Sequence, residues 1–137
     1  MKKIIAALLL LSSSPAWAAG SSVPWAMGGQ YARFDPVVAQ YNASGELFRI
    51  QGHCQSSCTL FLAIRNVCIE PSATLLFHSA HDRQRNVSPA LTQHMLAAYN
   101  APLREYVTAN HFMDTLAFHA ISGRDMIRKF GYRQCPG

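Results

Sequence analysis

The stretch Gly52-His53-Cys54-Gln55-Ser56-Ser57-Cys58-Thr59 constrains this chain more than any other. Two small hydroxyl residues lie between two cysteines. Residues 46–51 before them read as a strand, and Leu60-Phe61-Leu62-Ala63-Ile64 after them reads as a buried helix. A strand-to-helix turn presents a serine at a helix N-terminus, where free backbone N–H groups stabilise a developing oxyanion. Downstream, Thr74-Leu75-Leu76-Phe77-His78 reads as a second strand ending in a histidine. A serine at one strand end and a histidine at another supply a nucleophile and a base. The residues alone leave Ser56 and Ser57 equivalent for the first role.

The compartment follows from the N-terminus. Met1-Lys2-Lys3 precedes an apolar run, Ile4 to Leu11, and Ala16-Trp17-Ala18 supplies small residues at the positions a signal peptidase requires. The run is too short for an ordinary membrane-spanning helix. Residues 1–18 therefore read as a secretory signal peptide and 19–137 as one domain, periplasmic or secreted, with no membrane attachment after cleavage. Without Lys2 and Lys3 the formal charge falls from +5 to +3. The other basic residues are scattered, with Arg124, Arg128 and Lys129 as the densest group and no interleaved aromatic stripe, which argues against nucleic-acid binding. All four cysteines, Cys54, Cys58, Cys68 and Cys135, fall in the mature part, where an even count predicts two disulfides. Three pairings are open.

Along the chain, residues 19–27 read as a lead-in or one short strand, and Gly28-Gly29 as a turn permitting close backbone approach. Asp35-Pro36 reads as the cap and first position of a helix with Val37, Val38 and Tyr41 inward. After the serine turn comes a short helix, about 59–65, then the strand Val67-Cys68-Ile69 and a turn at Glu70-Pro71-Ser72. The continuously apolar middle of 74–78 predicts burial on both faces. Ser88-Pro89 opens a helix that Pro102 breaks. A last helix starts near Ser122 and ends at Gly131 as its C-cap. Alternation of strands and helices in the first half, with helices after it, predicts a small α/β layered domain.

Gly-x-Cys-x-Ser-Ser-Cys-Thr-Leu, then Val-Cys-Ile-x-Pro, then Leu-Phe-His, resembles the Clp-type serine peptidases. The nearest likeness is to their small exported relatives, the periplasmic Clp-like proteins of the crotonase superfamily. The resemblance covers most of residues 28–135. It implies a crotonase/Clp-like domain of short parallel strands with flanking helices. It also implies Ser56 as nucleophile, His78 as general base, and backbone N–H groups of Ser57 and Gly29 as the oxyanion hole. Asp114 falls roughly where the family acid would. If the fold is of this type, the C-terminal strand lies near the strand carrying Cys68, which pairs Cys68 with Cys135 and leaves Cys54 to pair with Cys58. The expected activity is ATP-independent hydrolysis of a peptide or a small acyl substrate, with no cofactor, and homo-oligomers are expected by resemblance. The competing reading is an inactive binding or assembly module that kept the fold. A third is a metal-binding module drawing on His53, Cys54, Cys58, Cys68, His78 and His81, soft and imidazole ligands suited to zinc or copper.

Overall fold

The computed structural model describes residues 20–137, so the signal-peptide reading of 1–18 lies outside the described residues. The framework is mixed α/β, with two three-stranded sheets. In the first, β1 (Gly20–Ser21), β2 (Phe48–Ile50) and β4 (Val67–Ile69) lie side by side, all parallel. Phe48 and Ile50 are buried on either side of half-buried Arg49, the alternation expected of a strand with one covered face. Arg49 spends its guanidinium on Glu70 Oε1 at 2.7 Å and on the Pro136 carbonyl at 3.0 Å. In the second sheet, β3 (His53–Gln55) runs parallel to β5 (Thr74–Phe77), and β6 (His119–Ser122) runs antiparallel to β5.

Several expectations about local structure are corrected by the packing. The stretch 52–59 is not all turn, because its first half is β3 and pairs with β5 from His53–Thr74 to Gln55–Leu76. The apolar run forms no α-helix over 59–65. It is a 3₁₀ helix, Ser56–Ala63, buried continuously from Ser57 to Leu62. The Cys54–Cys58 disulfide, with its Cα atoms 5.3 Å apart, tethers its first turn, and the Asn42 side chain closes its end by donating to the Ala63 carbonyl. Strand β5 is not buried on both faces: Leu75 and Phe77 are buried, Leu76 is half-buried and Thr74 is exposed.

The first helix, α1 (Tyr31–Ser44), starts earlier than Asp35-Pro36 predicts, so Pro36 lies inside it. An interior proline removes a backbone hydrogen bond, and tertiary packing outweighs that loss. Phe34 is fully buried, with its ring 5.3 Å from both Trp25 and Phe61, so the turn before Pro36 is held helical. The later helices are α2 (Pro89–Ala97), α3 (Ala101–Ala109) and α4 (Gly123–Arg128). Ser88, Asn100 and Ser122 cap them through side-chain oxygens that accept from the N–H of the third residue on. Lys129 is the C-cap of α4, two residues before the expected Gly131. The second disulfide joins Cys68 on β4 to Cys135, where the chain end bridges back to the sheet at Ile69–Gln134. Among the described residues no helix is long and apolar enough to cross a membrane.

Candidate functional site

A cavity of about 770 Å³ opens where β3, the 3₁₀ helix, the end of β5 and the loop after it converge. Ser56 and His78 both line it. Ser56 immediately follows β3 and opens the 3₁₀ helix with φ of 56°. That left-handed conformation costs a non-glycine residue about 1–2 kcal/mol, so its surroundings must hold it there. They do so through a buried relay. A carbonyl only accepts, so the Thr59 hydroxyl donates to Ser56 O at 2.7 Å, and Tyr99 in turn donates to Thr59 Oγ1 at 2.7 Å. Burial pushes the Tyr99 phenol far above its ordinary pKa, so it remains a donor. Neither Thr59 nor Tyr99 carries a sequence signal for this role, because they lie forty residues apart in the chain.

The two adjacent serines are distinct in three dimensions. Ser57 is 2% exposed, and its hydroxyl donates to the Gly29 carbonyl. Ser56 is the serine that faces the cavity. Gly28 and Gly29 have φ of 74° and 148°, backbone that side-chain-bearing residues rarely adopt. A Cβ on Gly28 would lie 3.0 Å from both Gln55 O and Ser56 Cβ, and 3.3 Å from Ser57 N. The glycine turn therefore rests directly against the serine turn. It is docked by Gln55, whose backbone N–H donates to Ala26 O at 2.9 Å and whose side chain donates to Met27 O at 3.1 Å. The Ser56 and Ser57 N–H groups precede the first bond of the 3₁₀ helix, and the Gln55 side chain does not cap them. Gly29 also lines the cavity.

His78 follows Phe77 directly at the end of β5 and is 5% exposed. Neither ring nitrogen has a hydrogen-bond partner among the described residues, and neither does the hydroxyl of Ser79. Its ring packs 4.7 Å from that of Phe118 and 6.3 Å from that of His81. Burial, then the nearby His81 and Arg85, holds its pKa below the ordinary histidine value. A buried, unpartnered imidazole favoured in its neutral form can accept a proton.

Asp114, expected roughly where a family acid would fall, makes no hydrogen bond to His78. The backbone beside Asp114 does come close, since Thr115 O accepts from Ser79 N at 2.9 Å. The Asp114 carboxylate, however, takes His111 Nδ1 at 2.8 Å on the surface, a pairing favoured by their spacing of three residues. The metal-module reading loses its thiolates, because all four cysteines are in disulfides. No cluster of three metal-ligating side chains occurs among the described residues.

The remaining walls of the cavity were silent in the sequence. Met27, 70% exposed, and Phe118, 48% exposed, give it apolar surface together with Leu91 and Leu116. Tyr31 on α1 joins that helix to α2 by donating to Leu91 O at 2.7 Å, and burial and the Asp35 charge raise its pKa. No protein-family model matches this chain, and no curated protein matches it in sequence.

Proposed function

We propose that the cavity is the active site of an exported serine hydrolase that cleaves a peptide or small acyl substrate without ATP. One observation carries this reading: Ser56, held in a left-handed turn, shares a cavity with His78, a buried histidine whose ring nitrogens are both unpartnered. The two disulfides suit an oxidising compartment outside the cytoplasm. The parallel strand pairs with flanking helices support a crotonase/Clp-like layering, and self-association follows from that resemblance.

In this mechanism Ser56 Oγ adds to the substrate carbonyl carbon while its proton passes to His78. The Ser56–His78 hydrogen bond forms as substrate closes the gap, since catalytic contacts tighten in the bound complex. The carbonyl oxygen becomes an oxyanion facing the N–H groups of Ser57 and Gly29. Collapse breaks the bond to the leaving amine or alcohol, which takes the proton back from His78. Water then repeats the sequence on the acyl-serine, releasing the carboxylic acid and restoring the Ser56 hydroxyl.

A second reading, a binding module without catalysis, is favoured by the pairing of Asp114 with His111, which leaves His78 without an orienting acid. A fluorophosphonate separates the two, because it bonds only to an activated serine. The expected result is labelling of the mature, disulfide-bonded protein, lost in Ser56→Ala and His78→Ala and retained in Ser57→Ala. Absence of labelling in the folded wild type overturns the hydrolase reading in favour of the binding module, and labelling that survives Ser56→Ala removes Ser56 as the nucleophile.

A further inference from the structure

The loop between β5 and α2 contributes two arginines to the cavity, Arg83 and Arg85. Among the described residues neither guanidinium has a hydrogen bond or a carboxylate within ion-pair distance, whereas Arg49 and Lys129 each pair with an acid. The one acid lining the cavity, Asp82, is committed elsewhere. Its Oδ1 accepts from the backbone N–H groups of Gln84 and Asn86, both at 2.9 Å, and its Oδ2 accepts from the Asn86 side chain. These bonds hold its carboxyl below the usual range, so it stays ionised while serving the loop backbone.

The loop is a built turn. Asp82 N donates to Asn86 O at 2.9 Å, Arg85 N donates to Asp82 O at 3.1 Å, and His81 pairs with Val87 across the base. Arg85 itself has φ of 65°, a conformation that a side-chain-bearing residue keeps only where neighbours fix it. His81 Nδ1 bonds to the Asp82 carbonyl at 2.7 Å and therefore carries the hydrogen. The loop thus fixes the backbone of two uncommitted cations that line the same cavity as Ser56, His78 and the apolar side chains of Met27, Leu91 and Phe118.

We infer that this cavity selects ligands with an apolar body and a carboxylate, with Arg83 and Arg85 as the residues that recognise the anion. The inference rests on the reading of the cavity as a substrate site and adds the charge of the substrate. Arginine presents planar paired donors that match a carboxylate. The carboxylate can be a peptide's C-terminus or an acidic side chain, and both have the same chemistry at the guanidinium.

The test is calorimetric or NMR titration of disulfide-bonded Ser56→Ala with three peptides. These are N-acetyl-Leu-Ala with a free C-terminus, N-acetyl-Leu-Glu amide, and N-acetyl-Leu-Gln amide as the neutral control. At least one charged peptide is expected to bind about fivefold or more tightly than the control, an advantage that shrinks as salt screens the charges. The advantage should vanish in Arg83→Gln/Arg85→Gln. Preference for the first peptide assigns the anion to a C-terminus, and preference for the second assigns it to an acidic side chain. Equal binding of all three, no binding of any, or an advantage that survives the double substitution overturns the inference. Titration needs no turnover, so a wild type that binds carboxylates selectively but resists fluorophosphonate would sink the hydrolase reading alone.

Discussion

The two sides of the cavity are built in opposite ways. On the Ser56 side the backbone is held by a local disulfide, a glycine turn in van der Waals contact, and the buried Tyr99–Thr59 relay. On the Arg83–Arg85 side the chain is an exposed loop stabilised by its own Asp82 turn, with side chains that touch no acid. The first arrangement restrains the backbone that carries Ser56, the condition the proposed covalent role would need. The second leaves charges free to meet a ligand, and loops on a rigid scaffold tolerate change without loss of the fold. Under the proposed reading, position and specificity are separable in this molecule.

The largest expected effect breaks the rigid side chemically. Ser56→Ala should lower the rate of ester or peptide hydrolysis about a thousandfold or more with the melting temperature nearly unchanged, measured by steady-state kinetics beside calorimetry. The disulfides come next and test whether local restraint serves the site or the fold. The Cys68–Cys135 bridge spans 67 residues and should contribute about 4 kcal/mol by the chain-entropy relation, read by urea unfolding of Cys68→Ala/Cys135→Ala. The Cys54–Cys58 bridge spans only four residues and should contribute about 2 kcal/mol. Its removal should nevertheless reduce labelling at Ser56 more than removal of the long bridge, because it frees the strained turn itself. The reverse order of labelling would show that the local bridge does not position the serine.

Acidity links the two sides more gently. Burial, His81 and Arg85 lower the pKa of His78, so its neutral form persists below the ordinary histidine range. The acid limb of the pH–rate profile should therefore lie below that of an unperturbed histidine, and should move upward in Arg85→Gln as one positive neighbour is removed. For stability the sign is the same. The unfolded chain binds a proton at His78 before the folded one does, so stability falls as pH drops through the ordinary histidine pKa towards the depressed one. A limb that stays in place in Arg85→Gln would disconnect the loop from the base. The smallest effect belongs to Asp114→Asn, which should leave hydrolysis and labelling unchanged, since its carboxylate serves His111 on the surface.

Caps and short-range patterns were legible in the chain. Ser88 and Ser122 announce α2 and α4, Val67-Cys68-Ile69 is a strand, and Thr74 to Phe77 delivers His78 at its end. The caps rest on bonds between residues three apart, and the two strands show in their runs of apolar, strand-favouring residue types. Helix α1 starts ahead of Asp35-Pro36 because Phe34 packs into the aromatic cluster with Trp25 and Phe61, a long-range contact that no local pattern announces. Strand β6 and the paired half of 52–59 carry little pattern of their own and exist through their ladders with β5.

Residue type and local spacing carry the serine turn after a strand, the histidine after another, the four cysteines and the glycine pair. Tertiary packing made Ser56 rather than Ser57 the serine that lines the cavity, committed Asp114 to His111, and brought Arg83, Arg85 and Phe118 to the same cavity. Those outcomes depend on contacts between segments far apart in the chain, and on which side of a turn a hydroxyl faces. Burial and long-range hydrogen bonds set these, and no local pattern encodes them.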